Sequence, residues 1–132
     1  MSRIRPHITE REAHCRCSCG KVTNDGFLTI IDALLSRYGK PCRINCMVRC
    51  DEYNTKIGGS KTSAHLENKH GYGAADLRCN NPIDRAIMLP IAIFYFDAGI
   101  INHIEVCDEH LHVAKVPLDH PHAGKIHWGK SK

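Results

Sequence analysis

No apolar stretch in this chain is long enough to cross a membrane. The longest, residues 87–96, is broken by Pro90 and is about half the roughly 20 residues a transmembrane helix needs. The N-terminus, Met1-Ser2-Arg3-Ile4-Arg5-Pro6, has no apolar core behind its basic residues, so a secretory signal is not expected. Internal repeats and low-complexity runs are also lacking. Like charges do not gather in blocks. The net charge of +4 is scattered along the chain and reads as a solvated surface rather than a footprint for nucleic acid or acidic lipid. These absences predict a soluble protein made in a cytoplasm, without a membrane or nucleic-acid partner. The 132 residues suit a single domain, residues 1–132, with one modest core, expected to act as a monomer.

Two residue types are abundant. The chain has eight cysteines and ten histidines. Without a secretion signal, disulfides are not the default reading of the cysteines. Thiolate and imidazole are both metal ligands, so the composition favours a metal site without locating it.

Residues 1–24 read as an irregular segment carrying Cys15-Arg16-Cys17-Ser18-Cys19-Gly20. Asn24 or Asp25 can cap a helix running to Tyr38, with Phe27, Leu28, Ile31, Leu34 and Leu35 on one face. Residues 42–48 alternate between breakers and read as a strand. A short helix or turn is expected over 51–57, a loop over 60–73 and a short strand over 74–78. Asn81-Pro82 starts a second helix expected to reach Ala98 and stop at Gly99, with Pro90 kinking or splitting it. Strands are expected over 100–106 and 111–116, and the tail from Pro117 is expected to be irregular. The order predicts an α+β fold, helices packed on a small, mostly antiparallel sheet.

Candidate chemistry lies in Ser63-Ala64-His65, in Ala74-Ala75-Asp76-Leu77 and in Glu109-His110-Leu111-His112. A catalytic zinc needs about three protein ligands and one open position. Two imidazoles and a carboxylate meet that need, and a further carboxylate beside the bound water can take its proton. On a strand, His110 and His112 share a face while Leu111 points to the core. Glu109 can join that face only if the turn rotates it there.

These residues resemble the M15 peptidases, whose pattern is Ser-x-His-x-x-Gly-x-Ala-x-Asp followed by Glu or Asp-x-x-His. The resemblance spans about residues 14–116. His14-Cys15-Arg16-Cys17-Ser18-Cys19-Gly20 is similar to the opening of the small phage-like branch. Residues 44–50 resemble its strand ending in Ser-Gly-Tyr-Arg-Cys, and Asn54-Thr55-Lys56-Ile57-Gly58-Gly59 resembles its Asn-x-x-Val-Gly-Gly.

The resemblance implies the fold shared by hedgehog signalling domains and D,D-peptidases. It implies Zn2+ on His65, Asp76 and His112, with Glu109 as catalytic base. Arg49 would act on the substrate carbonyl or carboxylate, and Ser63 would hydrogen-bond nearby. The implied substrate is a peptidoglycan stem peptide, cut by a D-Ala-D-Ala carboxypeptidase or an endolysin-type endopeptidase acting on the wall after release. The alternative is a zinc-containing binding or structural module of the same fold. A nucleic-acid-binding zinc module built on the cysteines is the weakest reading.

Two departures stand out. The family places the aspartate seven residues after the first histidine, whereas here the gap is 76 − 65 = 11, which brings in His70 as a rival ligand. Cys46-Met47-Val48 stands where the family has Ser-Gly-Tyr. Cys15, Cys17 and Cys19 would lie on one face of an extended strand. Their default role is as small apolar groups, and a structural metal shared with Cys50 or Cys79 is the sharper alternative.

Overall fold

A computed structural model describes residues 2–129. In chain order the elements are β1 (Arg3–Arg5), β2 (Ile8–Thr9), α1 (Glu10–Ala13), α2 (Asp25–Tyr38), β3 (Ile44–Cys46), α3 (Asp51–Lys56), β4 (Gly73–Arg78), α4 (Pro82–Asp97), β5 (His103–Val106), β6 (His110–Lys115) and β7 (Lys125–Trp128). The fold is α+β. No helix among the described residues is long and apolar enough to cross a membrane.

The two long helices form where the sequence places caps. The Asn24 side chain accepts from the Phe27 amide at 2.9 Å, and Gly39 closes α2 in the left-handed region at φ 73°. Asn81 caps α4 in the same way, with Pro82 in its first turn, where a missing N–H costs nothing. Pro90 does not split α4, which is one element from Pro82 to Asp97. The buried face of α2 (Phe27, Leu28, Ile31, Leu34 and Leu35) meets Met88, Ala92 and Tyr95 of α4 in one core.

The main sheet has the order β3-β4-β6-β5-β7. Its first three pairings are antiparallel and the β5–β7 pairing is parallel. Strand alternation gives it two different faces. Ala75 and Leu77 of β4, Leu111 and Val113 of β6, and Ile104 and Val106 of β5 point into the helix-covered core. Their neighbours Asp76, His110, His112, His103 and Glu105 point the other way, into a cavity.

Two segments expected to be irregular hold regular elements in part. Near the N-terminus, β1 and β2 pair, and α1 follows with a capping box in which Thr9 and Glu12 satisfy each other's amides. The second Glu12 oxygen accepts from Ile44 N at 2.8 Å, tying α1 to the edge of the sheet. In the tail, β7 adds a strand beside β5, fastened by Gly124 N to Asn102 O at 2.7 Å and Gly129 N to Val106 O at 2.9 Å.

Candidate active site and metal centre

One rung of the sheet crosses all five strands and carries a possible metal ligand on each. Cys46 pairs with Asp76, Asp76 with His112, His112 with Glu105, and Glu105 with His127. Because the residues share a rung, their side chains emerge together from the face opposite the core.

His65 joins them from the loop between α3 and β4. Its backbone carbonyl accepts from Arg49 N at 2.8 Å, and its amide donates to Ser63 Oγ at 3.2 Å. Its ring Nδ1 hydrogen-bonds the Met47 carbonyl. A carbonyl can only accept, so Nδ1 carries a hydrogen and Nε2 faces Asp76. The four extra residues before Asp76 are absorbed by a tight turn. Asn68 N bonds Gly71 O at 2.9 Å, Asn68 has φ 67°, and Tyr72 N then bonds Lys115 O at 2.8 Å, which aligns β4 on β6. The turn is pinned from behind by Glu67, whose Oε1 accepts from Asn24 N and Nδ2 at 3.2 and 3.1 Å.

Three imidazoles converge on one carboxylate oxygen. Asp76 Oδ1 lies 2.9 Å from His112 Nδ1, 3.3 Å from His65 Nε2 and 3.6 Å from His110 Nε2. The other oxygen lies 3.9 Å from Arg49 Nη2. Burial alone would raise the Asp76 carboxyl, but His65 and His112 outweigh it and hold it well below the usual carboxylate range. Burial would likewise lower His65, but the charges of Asp76 and then Cys46 lift it to about 10. Burial also opposes ionisation of the Cys46 thiol, yet His65 and Arg49 outweigh burial and lower its pKa. A protonated His65 sets positive charge against the buried Asp76 carboxylate, alongside that of Arg49.

The donor set suits zinc. With metal–ligand bonds of about 2.0–2.2 Å, ligand atoms of a tetrahedral site stand roughly 3.4 Å apart. The 2.9 and 3.3 Å separations of Asp76 Oδ1 from the His112 and His65 nitrogens are close to that. The group whose ligand atoms lie within 4.8 Å of one another is Cys46, His65 and Asp76, so the thiol is a rival to His112 as third ligand that the sequence reading did not consider.

A cavity of about 530 Å³ opens over the group, lined among others by Arg49, Ser63, His65, Asp76, Glu105 and His112. Arg49 is fixed by bonds from Nε to Cys46 Sγ at 3.2 Å and from Nη1 to Asn54 Oδ1 at 3.1 Å and Ser63 Oγ at 3.5 Å. Close approach at Gly59 helps hold it. A Cβ there would fall 2.1 Å from Asn54 Oδ1 and 3.0 Å from Arg49 Nη1.

The structure therefore brings together His65, Asp76, His112, Arg49 and Ser63. Glu109 is exposed in the β5–β6 turn, where its carbonyl accepts from Cys79 N at 3.0 Å, and it is not among the residues lining the cavity. His70 does not line the cavity either.

Sequence reasoning missed a second cluster next to the first. His103, Glu105, His122 and His127 have ligand atoms within 4.8 Å of one another. His103 Nε2 lies 2.8 Å from His127 Nε2, and its buried Nδ1 has no hydrogen-bond partner among the described residues. Burial, aided by the neighbouring imidazoles, pushes His103 down to about 2, which keeps it neutral. The i, i+2 pairs His103/Glu105 and His110/His112 were the available sequence signal.

The sequence matches the Peptidase M15 family over residues 6–114. The chain belongs to that family. Its members are metallopeptidases, usually zinc-dependent, so membership implies peptidase activity. The matched span holds every candidate ligand of the first cluster and ends before His122 and His127. No curated protein and no solved structure matches the chain.

Proposed function

We propose that this M15 peptidase hydrolyses peptide bonds in peptidoglycan stem peptides, with zinc held by His65, Asp76 and His112. The observation that carries the reading is the convergence of two oriented imidazoles and a buried carboxylate at the floor of an open cavity, beside an immobilised arginine. Zinc bound there would acidify a water and polarise a peptide carbonyl.

The chain's own groups supply the rest. The Met47 carbonyl keeps the metal-facing nitrogen of His65 unprotonated once a cation replaces the proton. Arg49, its fork held by Asn54 and Ser63, receives a substrate carbonyl or carboxylate. Ser63 positions both Arg49 and the His65 amide.

A carboxylate must move the proton from the water to the leaving amine. Glu109 holds that role in the reading, through its spacing to His112. Glu105, opposite His112 and already facing the cavity, is the rival. The substrate class, stem peptides with D-residues near the cut bond, rests on the resemblance of the Ser63-x-His65, Ala74-Ala75-Asp76 and Glu109-x-x-His112 stretches.

The test uses zinc-loaded chain on purified peptidoglycan and on D-Ala-D-Ala peptides, following newly released amino groups. Glu109→Gln is expected to keep its metal and lose about 10²–10⁴-fold in rate. If Glu105→Gln suffers that loss and Glu109→Gln does not, the base is Glu105. A wild-type protein that holds zinc at His65 and His112 but cuts neither substrate would sink the wall-peptidase reading and leave a binding module.

A further inference from the structure

The strongest unassigned feature is a group of four sulfurs that does not line the cavity. We propose that Cys15, Cys17, Cys19 and Cys50 form a second metal site, a tetrathiolate that takes one zinc ion and staples the N-terminal segment to the Arg49 loop.

The spacing of the sulfurs is that of ligands around a common centre. Cys15 and Cys17 Sγ are 3.4 Å apart, Cys17 and Cys50 3.5 Å, and Cys15 and Cys50 3.8 Å. All four sulfurs lie within 4.8 Å of one another. A disulfide would bring one pair to about 2.05 Å, and all four thiols are unbridged. A tetrahedron with zinc–sulfur bonds of about 2.3 Å has edges of roughly 3.8 Å, which these separations approach.

The backbone is arranged for thiolates. Each sulfur accepts an amide hydrogen: Cys15 from Cys50 N, Cys17 from Cys19 N, Cys19 from Lys21 N and Cys50 from Tyr53 N, each at 3.4 Å. Two of these bonds run from residue i+2 back to the sulfur of residue i. Gly20, at φ 81°, allows the second of those turns. Four N–H donors disperse negative charge on sulfurs that would otherwise repel one another.

An apolar packing role does not account for the cluster, because Cys17 and Cys19 are exposed. Nor do the three cysteines share one face of an extended strand. Residues 16–19 are a run of bends between His14 and Val22, which bridge each other, and the bends turn the three thiols toward Cys50. An all-sulfur donor set is soft and selects zinc over magnesium or calcium.

The position gives the site a purpose. Cys50 follows Arg49 in the chain and caps α3. Thr23, just beyond the cluster, accepts from Val48 N at 3.3 Å. A metal held there would fix residues 15–19 against the segment that carries Arg49 and the Met47 carbonyl. None of the four cysteines lines the catalytic cavity, so this inference stands independently of the proposed substrate and mechanism.

The test loads the reduced full chain with cobalt(II) and, separately, with zinc. The wild type is expected to show strong thiolate-to-cobalt charge-transfer absorption and to hold one zinc that a thiol-specific mercurial releases. Cys17→Ser/Cys19→Ser, at exposed positions that leave the core untouched, is expected to lose most of the band and that zinc while keeping wild-type helicity. His65→Ala/His112→Ala is expected to keep both. Absence of the band in the reduced wild type overturns the proposal. So does a band of full strength in the double serine variant, since that would assign it to Cys46.

Discussion

Gly71→Ala offers a test of how the ligand loop is held, because the clash it creates lies one residue from His65. A Cβ on Gly71 would sit 2.3 Å from the Ala64 carbonyl oxygen, 2.8 Å from its Cα and 2.9 Å from its carbonyl carbon. An ordinary contact needs roughly 3.4 Å or more, so something must move by about 1 Å. All three atoms are backbone, and no flexible side chain can swing aside. Gly71 is held in turn by the bond from Asn68 N to its carbonyl, so the displacement falls on Ala64 and, through the chain, on His65. Overpacking of this kind costs about 1–3 kcal/mol of stability. A misplacement of about 1 Å in a reacting group costs on the order of 10²-fold in rate. The expected result is a folded protein with a lowered melting temperature, weakened zinc binding and kcat/KM down about a hundredfold. Thermal melts, a competitive zinc titration and peptide hydrolysis measure the three. Melting and zinc affinity equal to those of wild type would show that the loop is not fixed by this approach, and the reasoning would be wrong.

Three further outcomes follow from the charges around Asp76. Arg49→Lys keeps the charge but not the fork that meets Cys46, Asn54 and Ser63. Hydrolysis is expected to fall at least about tenfold, roughly 1.4 kcal/mol, whereas a merely solvated cation would tolerate the change. In the metal-free protein, the raised pKa of His65 gives stability that is complete below its unfolded value of 6.5 and lost as pH rises toward about 10. The depressed pKa of Asp76 gives stability that is present above its unfolded value of 3.8 and lost as pH falls through the lower folded value. These two contributions are jointly complete between the two unfolded values, but His103, held neutral with its pKa down to about 2, costs stability as pH falls below 6.5, so the apo melting temperature should be highest at the upper end of that window. On the proposed ligand set zinc displaces the His65 proton, so the rise in melting temperature on adding zinc should grow between about pH 6 and 9. A rise that is flat over that range would contradict the proton–metal competition.

Much of this arrangement was legible in the sequence, for identifiable reasons. The α2 helix announced itself by a 3.6-residue period and by Asn24 and Gly39 at its ends. His110 and His112 were placed on one face by strand alternation alone. The tail strand was not legible, because β7 rests on backbone bonds at the sheet edge while Ile126 and Trp128 stay exposed, leaving no buried period to read. The α1 turn has a readable Thr9-x-x-Glu12 box, but only Ala13 of it is buried. The site was half visible. His65, Asp76 and His112 carry a family pattern, whereas Cys46, Glu105 and His127 join them only through strand register. Register depends on which strands become neighbours, and local residue preference does not encode that choice.

That register also explains why the core and the site tolerate each other. Leu111 and Val113 must be buried for the helices to pack, and alternation then forces His110 and His112 onto the opposite face. The same rule applied to β4 forces Asp76 out opposite Ala75 and Leu77. A carboxylate and its facing histidine are thus fixed to the sheet by the same contacts that stabilise the fold, and only His65 and Arg49 need separate support. His65 receives it from Met47, Ser63 and the Gly71 turn. Arg49 receives it from Asn54 and Ser63, and, on the inference drawn above, from a metal bound at the next residue. Loss of that metal should therefore disturb Arg49 before it disturbs the His112–Asp76 pair, which the β4–β6 ladder holds regardless.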